Sequence, residues 1–303
     1  MRAALLREVD GPFEVVDVPE PTADGRVVVR VRAAGVNFAD VLVRRGRYPQ
    51  MPELPTILGS EIAGELEDGT RVMAITSGGG GYAERVAVDR AQVVPLPEHA
   101  TFAEGASFLL TFLTSFIPLT RQVRVEPGTR VLVTAAAGGV GSAAIQVARG
   151  LGGAVVGVVG SHEKIETCLL LGAEAAYVYD ELPEDETFDV VLDQVGGELF
   201  PALLARLRPL GTVIAIGSAA GAWPAVEPAR IVGRNGALAG FYLGRLLRLA
   251  PELVGTAVGE LLAFWQTGAL KPFVGAELPL VEVERAHDLV ESRRSVGKVV
   301  LLP

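Results

Sequence analysis

Residues 131–148 read Val-Leu-Val-Thr-Ala-Ala-Ala-Gly-Gly-Val-Gly-Ser-Ala-Ala-Ile-Gln-Val-Ala, an apolar run that passes through a glycine-rich turn into a helical segment. Ala136, Gly138 and Gly141 take the three spaced small positions of a dinucleotide fingerprint. Small residues there let the chain turn tightly, let a pyrophosphate approach the backbone amides, and let the helix pack closely on the strand. The phosphate charge then faces the positive end of the helix. A glycine turn alone is weak evidence, and the bland alternative is a purely structural turn. Here the preceding strand, the following helix and a second apolar run at 154–159 come in the required order.

The tip after that second run decides which nucleotide fits. An enzyme that takes the unphosphorylated cofactor commonly places a carboxylate there for the ribose diol. This chain has Gly160-Ser-His-Glu-Lys164. Ser161 is small and hydroxylic, and Lys164 suits a 2′-phosphate, so NADPH is expected over NADH. Glu163 argues the other way if it turns inward, and Lys164 taken alone also reads as an exposed first-turn lysine.

Metal chemistry has little to stand on. The three histidines, His99, His162 and His287, and the lone Cys168 lie without ligand spacing, and each histidine reads most simply as a surface residue. A single cysteine permits no internal disulfide, which agrees with a reducing compartment. The net charge of -9 argues against a nucleic-acid partner, which needs a cationic face. The uncharged stretches 105–120 and 131–148 are expected to be core: the first carries Thr111, Thr114, Ser115 and Pro118, and the second is broken by glycines. The first ten residues lack the apolar stretch of a signal peptide, and a cytoplasmic protein without membrane insertion is expected.

These residues need elements to hold them, and 303 residues, half of them hydrophobic, suffice for two cores. Short runs at 3–6, 13–18, 27–33, 61–66, 71–75, 84–88 and 93–95, punctuated by turn residues, predict a β-rich, barrel-like domain. Residues 102–119 have helical spacing, with Phe108, Phe112 and Phe116 reading as core more readily than as an aromatic substrate box. Strand-like runs at 131–134, 154–159, 175–178, 190–193, 212–216 and 237–241 then alternate with helical segments at 140–151, 164–171 and 199–207. That alternation predicts an α/β domain with a doubly wound, Rossmann-type parallel sheet. A last long helix at 251–267 follows, and a helix and strand ending at 298–302 are expected to return to the first domain. The expected division is 1–107 with 265–303 against 108–264.

With these motifs in order, the chain resembles the medium-chain dehydrogenase/reductase superfamily over essentially its whole length, and within it the zinc-free quinone oxidoreductases of the zeta-crystallin-like branch. The resemblance is carried by Ala33-Ala-Gly-Val-Asn-Phe-Ala-Asp40, Arg44-Arg-Gly-Arg-Tyr48, Gly59-Ser-Glu-Ile-Ala-Gly64, Gly80-Gly-Tyr-Ala-Glu84, the fingerprint, and Gly297-Lys-Val-Val-Leu301. It implies a GroES-like first domain. Zinc-dependent relatives carry Cys and His where this chain has Asn37 and Ser60, and the loop that bears a structural zinc is missing. The resemblance further implies that Lys164, Tyr179 and Arg293 hold the 2′-phosphate with Ser161 nearby. It implies that Thr114, Gly139, Val140, Gly217, Ser218, Phe241 and Leu243 line the cofactor, and that Asn37 and Tyr48 lie beside the nicotinamide. Leu42 stands where bacterial relatives often have a second tyrosine, which makes that side of the substrate pocket more apolar. It also implies a homodimer paired through the edge strand at 237–241.

The chemistry expected is hydride transfer to a quinone, with Asn37 and Tyr48 as hydrogen-bond donors to the oxygen on which charge develops. For Tyr48 the alternative is packing against substrate or nicotinamide, with solvent supplying the proton. For Asn37 it is a turn asparagine satisfying backbone groups. Asp40 is expected to order Arg44 or the turn rather than to carry protons. Rival activities are an NADPH-dependent enoyl-thioester or alkenal reductase and a non-catalytic NADPH-binding sensor.

Overall fold

The computed structural model describes residues 1–303 and divides into two compact units, Met1–Leu110 with Pro272–Pro303, and Thr111–Lys271. The chain leaves the first unit inside a helix and returns to it only after the long helix that ends at Gln266 has closed. The breaks therefore lie at 110/111 and 271/272, where 107/108 and 264/265 were expected.

The first unit is built on β1 (Arg2–Leu6), β2 (Phe13–Asp17), β3 (Val27–Val36), α1 (Phe38–Arg44), β4 (Thr56–Ile57), β5 (Glu61–Glu65), β6 (Arg71–Ile75), β7 (Arg85–Val88), β8 (Val93–Pro95) and α2 (Phe102–Gly105). β3 is the hub. It pairs antiparallel with β5, with β7 and with a late strand at Lys298–Leu302, and β6 and β8 extend the sheet from β5. A small sheet, β2-β1-β4, closes over it. The core between them holds Leu6, Val29, Val31, Ile62, Val72, Tyr82, Val299 and Leu301. Alternate residues of β3 fall inward, as a half-exposed strand demands.

The second unit begins in α3 (Leu109–Ile117), which continues into a wide π-type turn over Pro118–Gln122. From Phe102 to Gln122 the chain has the length and apolarity of a membrane-crossing helix, but 78% of that segment's most apolar window is buried in the fold. Phe108, Phe112 and Phe116 are among its buried residues, as core residues should be. Then follow β9 (Arg130–Val133), α4 (Gly139–Gly150), β10 (Ala154–Val159), α5 (Ile165–Leu170), β11 (Ala175–Val178), β12 (Phe188–Asp193), α6 (Phe200–Ala205), β13 (Leu207–Ala215), α7 (Pro228–Val232), β14 (Ala237–Gly240), α8 (Leu243–Leu249) and α9 (Pro251–Gln266).

All six strands are parallel, in the order β11-β10-β9-β12-β13-β14. Numbered within the sheet this is 3-2-1-4-5-6, whose winding reverses between β9 and β12 and opens a crevice at the carboxyl ends of those strands. Their apolar runs are buried on both faces, which is why they lack a polar alternation. The chain ends with β15 (Val274–Pro279), α10 (Val283–Glu291) and β16 (Lys298–Leu302), back in the first unit.

One expectation needs correction here. His287, read as a surface residue, is fully buried in α10, its ring 4.7 Å from that of Phe13 and 5.8 Å from that of Tyr82, and both ring nitrogens lack a hydrogen-bond partner. The heptad-like spacing of Val283, Ala286, His287 and Val290 turns that face inward, and an imidazole flanked by aromatic rings fills the space of an apolar side chain. Of the two tasks expected of Asp40, ordering Arg44 or ordering the turn, the structure shows the second: the Arg44 guanidinium bonds Glu284 and the Gly11 carbonyl, and Asp40 accepts the Asn37 N–H.

Candidate functional site

Each unit contributes its own set of polar side chains. In the second unit the set forms where β9 ends. The chain turns with Ala135 in the left-handed region (φ +47°), and Gly138 caps α4 without any side-chain cap, which leaves the first helical amides to an anion. A Cβ on Gly141 would lie 2.3 Å from the Ala135 carbonyl oxygen and 2.7 Å from Ala136 Cα, so only glycine lets α4 approach the turn this closely. Ala136 is buried against Gly157 of β10, where a Cβ would meet the Ala136 methyl at 2.9 Å. Gly139 and Val140 form the first turn of α4. Ser115 of α3 donates to the Val140 carbonyl at 3.2 Å and so brings Thr114, the half-exposed residue beside it, toward that turn.

The neighbouring strand ends supply the rest. β10 and β11 pair in register up to Val159 and Val178, so Ser161 and Lys164 follow one strand end and Tyr179 follows the next. The Tyr179 hydroxyl accepts the Ala135 N–H at 2.9 Å, tying that corner to the glycine turn. Lys164 is half-buried, and burial holds its ammonium below the ordinary lysine range. A partly dehydrated cation gains most from an anion placed beside it. Gly217 and Ser218 follow β13. Phe241 follows β14, with its N–H bonded to the Ala215 carbonyl at 2.9 Å, and the buried Leu243 opens α8. Arg293, exposed and in left-handed backbone (φ +59°) after α10, belongs to the first unit.

Three residues that sequence reasoning passed over organise this crevice. Asp193, fully buried at the end of β12, accepts the N–H groups of Val195 and Gly196 at 3.0 Å each and the Thr134 hydroxyl at 3.1 Å. Burial raises its pKa, while these donors pull the other way. The Gln194 side-chain amide donates to the Thr134 carbonyl at 2.8 Å, joining the ends of β9 and β12. A polar residue ending each of two adjacent apolar strands was the available signal. The same unit carries a pocket of about 600 Å³ at the β14 edge, lined by Trp223, Leu238, Phe241, Tyr242, Arg245 and Leu246 among others.

In the first unit the set gathers around the start of α1. Asn37 is its N-cap, and the Asn37 N–H donates to Asp40 at 2.8 Å in a capping box. Asp40, buried, also accepts the Tyr82 hydroxyl at 3.1 Å and the Ser60 hydroxyl at 3.4 Å. Burial pushes its carboxyl above the ordinary range, and burial with the Asp40 charge raises the Tyr82 phenol. The Lys298 ammonium donates to Asn37 Oδ1 at 2.5 Å and to Glu61 Oε2 at 2.8 Å, and Glu61 Oε1 accepts the Leu110 N–H at 2.9 Å. Glu61 and Lys298 were quoted only as parts of motifs, although a charge opening each of two apolar strands marks them out. Tyr48 is half-buried and packs against the first unit's core.

The residues around positions 37 and 60 fit a metal poorly. An amide and a hydroxyl are neutral ligands, the adjacent Lys298 ammonium repels a dication, and no group of three His, Cys, Asp or Glu side chains is placed to hold one.

A 3-2-1-4-5-6 parallel sheet with a small-residue turn, joined to a β-rich domain with a capped turn at Asn37, defines a pyridine-nucleotide oxidoreductase of the dehydrogenase type. Comparison with known proteins agrees. The alcohol dehydrogenase GroES-like domain family matches residues 23–98 and the zinc-binding dehydrogenase family residues 171–301. Quinone oxidoreductase-like protein 2 homolog of Nematostella vectensis is 31% identical over 99% of this chain and 88% of its own. The quinone oxidoreductase of Thermus thermophilus, solved also in complex with NADPH, is 41% identical with a TM-score of 0.93, covering 100% of both chains. A mycobacterial protein complexed with NADPH is 33% identical with a TM-score of 0.92, again over 100% of both. The chain belongs to the quinone oxidoreductase branch of the medium-chain dehydrogenase/reductase superfamily.

Proposed function

We propose that this protein is an NADPH-dependent, zinc-independent quinone reductase. The observation that carries the reading is the Asn37–Lys298 hydrogen bond of 2.5 Å. An ammonium only donates, so the carbonyl end of the Asn37 amide faces Lys298 and the NH2 end is the one that meets an acceptor oxygen. Asn37 Nδ2 donates one N–H to the Gly35 carbonyl at 3.3 Å, and its other N–H is the donor for substrate. Bound NADPH supplies a hydride from C4 of the nicotinamide.

In this reading the second unit positions the cofactor. The uncapped start of α4 takes the pyrophosphate, with Ala136, Gly138, Gly139, Val140 and Gly141 as the close-approach surface. Lys164 and Tyr179, with Ser161, take the 2′-phosphate, and Thr114, Gly217, Ser218, Phe241 and Leu243 line the dinucleotide. NADPH in the complexes of the Thermus and mycobacterial relatives supports this choice of cofactor. Asn37, with Tyr48, donates to the acceptor oxygen as charge grows on it. A quinone needs the least polarisation because it is already electron-poor, and donors without a Lewis acid suffice. Solvent delivers the proton, and Tyr48 serves as a hydrogen-bond donor.

An acceptor screen tests the reading. Purified protein with EDTA, NADPH and 1,4-benzoquinone or 9,10-phenanthrenequinone consumes NADPH well above background. Preference for a crotonyl thioester indicates an enoyl-thioester reductase instead, and tight NADPH binding with no turnover of any acceptor indicates a sensor.

A further inference from the structure

We infer that Lys298 is a positioning residue for the reaction: its buried ammonium fixes and polarises the Asn37 amide so that Asn37 presents a donor to the acceptor oxygen. The inference rests on the quinone-reductase reading above and adds to it a residue that touches neither substrate nor cofactor.

The Lys298 side chain is 4% exposed and its partner Glu61 is 0% exposed, so neither charge is hydrated. Burying an ion pair is costly, and hydrophobic replacement of such pairs is often neutral or stabilising. Stability alone is therefore a weak account of this pair. Its geometry gives it a second task. Glu61 is itself anchored by the Leu110 N–H, and the ammonium it holds reaches across to Asn37 Oδ1. Strand β16 brings Lys298 there, because its pairing of Val299 with Val36 sets the preceding residue beside the end of β3 and the start of α1. Gly35 leaves the room: a Cβ there would lie 2.1 Å from the Ala106 carbonyl oxygen first, and also 2.8 Å from Lys298 Cε and 3.1 Å from Glu61 Oε2.

An amide has two orientations of nearly equal shape, and only one offers N–H groups to an acceptor. With an uncharged, apolar residue at 298 the carbonyl end loses its partner and the amide is free to flip. The ammonium bond also draws electron density toward Oδ1 and makes the remaining N–H a stronger donor. Glu61 restrains the ammonium, and Asn37 receives its effect.

The test uses the full chain, NADPH and 9,10-phenanthrenequinone. Lys298→Gln, which retains a donor toward Glu61, is expected to lower kcat about tenfold or more, by analogy with the loss of one oxyanion donor, while the KM for NADPH stays within about twofold. Lys298→Arg, which keeps charge and donors, recovers most of kcat. Glu61→Gln lowers the melting temperature and, because it loosens the Lys298 ammonium without removing it, costs clearly less kcat than Lys298→Gln. In an Asn37→Ala background, Lys298→Gln produces no further loss. The inference is overturned if Lys298→Gln lowers kcat equally with and without Asn37, or if Glu61→Gln and Lys298→Gln lose kcat alike. If Asn37→Ala leaves kcat unchanged, the donor role of Asn37 fails first and the positioning role with it. Should Lys298→Gln not fold, the same cycle with Lys298→Arg decides: a loss of kcat in Lys298→Arg that persists in the Asn37→Ala background overturns the inference, and retained kcat supports it.

Discussion

At Lys164 a partly buried ammonium waits beside a strand end whose neighbour supplies Tyr179, and Tyr179 is itself bonded to the glycine turn. Lys164→Ala is accordingly expected to raise the KM for NADPH at least tenfold and to leave that for NADH almost unchanged; steady-state kinetics with both cofactors check this, and equal effects contradict the 2′-phosphate role. Gly141→Ala forces a methyl to 2.3 Å from the Ala135 carbonyl. The turn must open, and fluorescence titration is expected to find NADPH binding weakened more than tenfold in whatever protein folds. The second-unit residues were legible in the sequence because a fingerprint is a local pattern, with spacing fixed by one turn and one helix. Lys298 and Glu61 were not. They stand 237 residues apart and meet only because β5 and β16 both pair with β3.

Elements read well where burial imposes a pattern and poorly where it does not. The six parallel strands announced themselves as apolar runs. β15 was missed because five of its six residues are exposed or half-exposed, and β4 because two residues carry no period. Strand β13 begins at Leu207, earlier than the expected 212, because a bulge against Phe188 and Val190 extends it through a polar stretch. The buried histidine of α10 has a consequence for the element that holds it. Burial, with the charges of Arg44 and Arg45, lowers the His287 pKa to about 3, against 6.5 unfolded. Unfolding then takes up a proton below pH 6.5, so stability is intact above that value and falls by about 1.4 kcal/mol per pH unit as the medium is acidified toward pH 3. Urea titrations at pH 7 and pH 5 are expected to show about 2 kcal/mol less acid loss in His287→Leu than in wild type; identical losses would mean that α10 opens to water at pH 5.

Viewed whole, the chain ends its parallel sheet in an unpaired edge. All four residues of β14 are exposed or half-exposed, Leu238 at 42%. Parallel edges left open invite pairing with a second copy. Gel filtration is expected to give twice the chain mass, and Leu238→Lys the monomer. Overall architecture was the most legible level, since alternating β and α segments after a β-rich stretch admit few arrangements. The claim on which everything else depends is hydride transfer from NADPH to a quinone by hydrogen-bond donors without a metal. Protein freed of metal by chelation, assayed with 9,10-phenanthrenequinone and with NADPH carrying deuterium at the transferred C4 position, measures it directly. The account predicts turnover that persists in chelator and slows with deuterium. Turnover that vanishes in chelator and returns only with added zinc would contradict it.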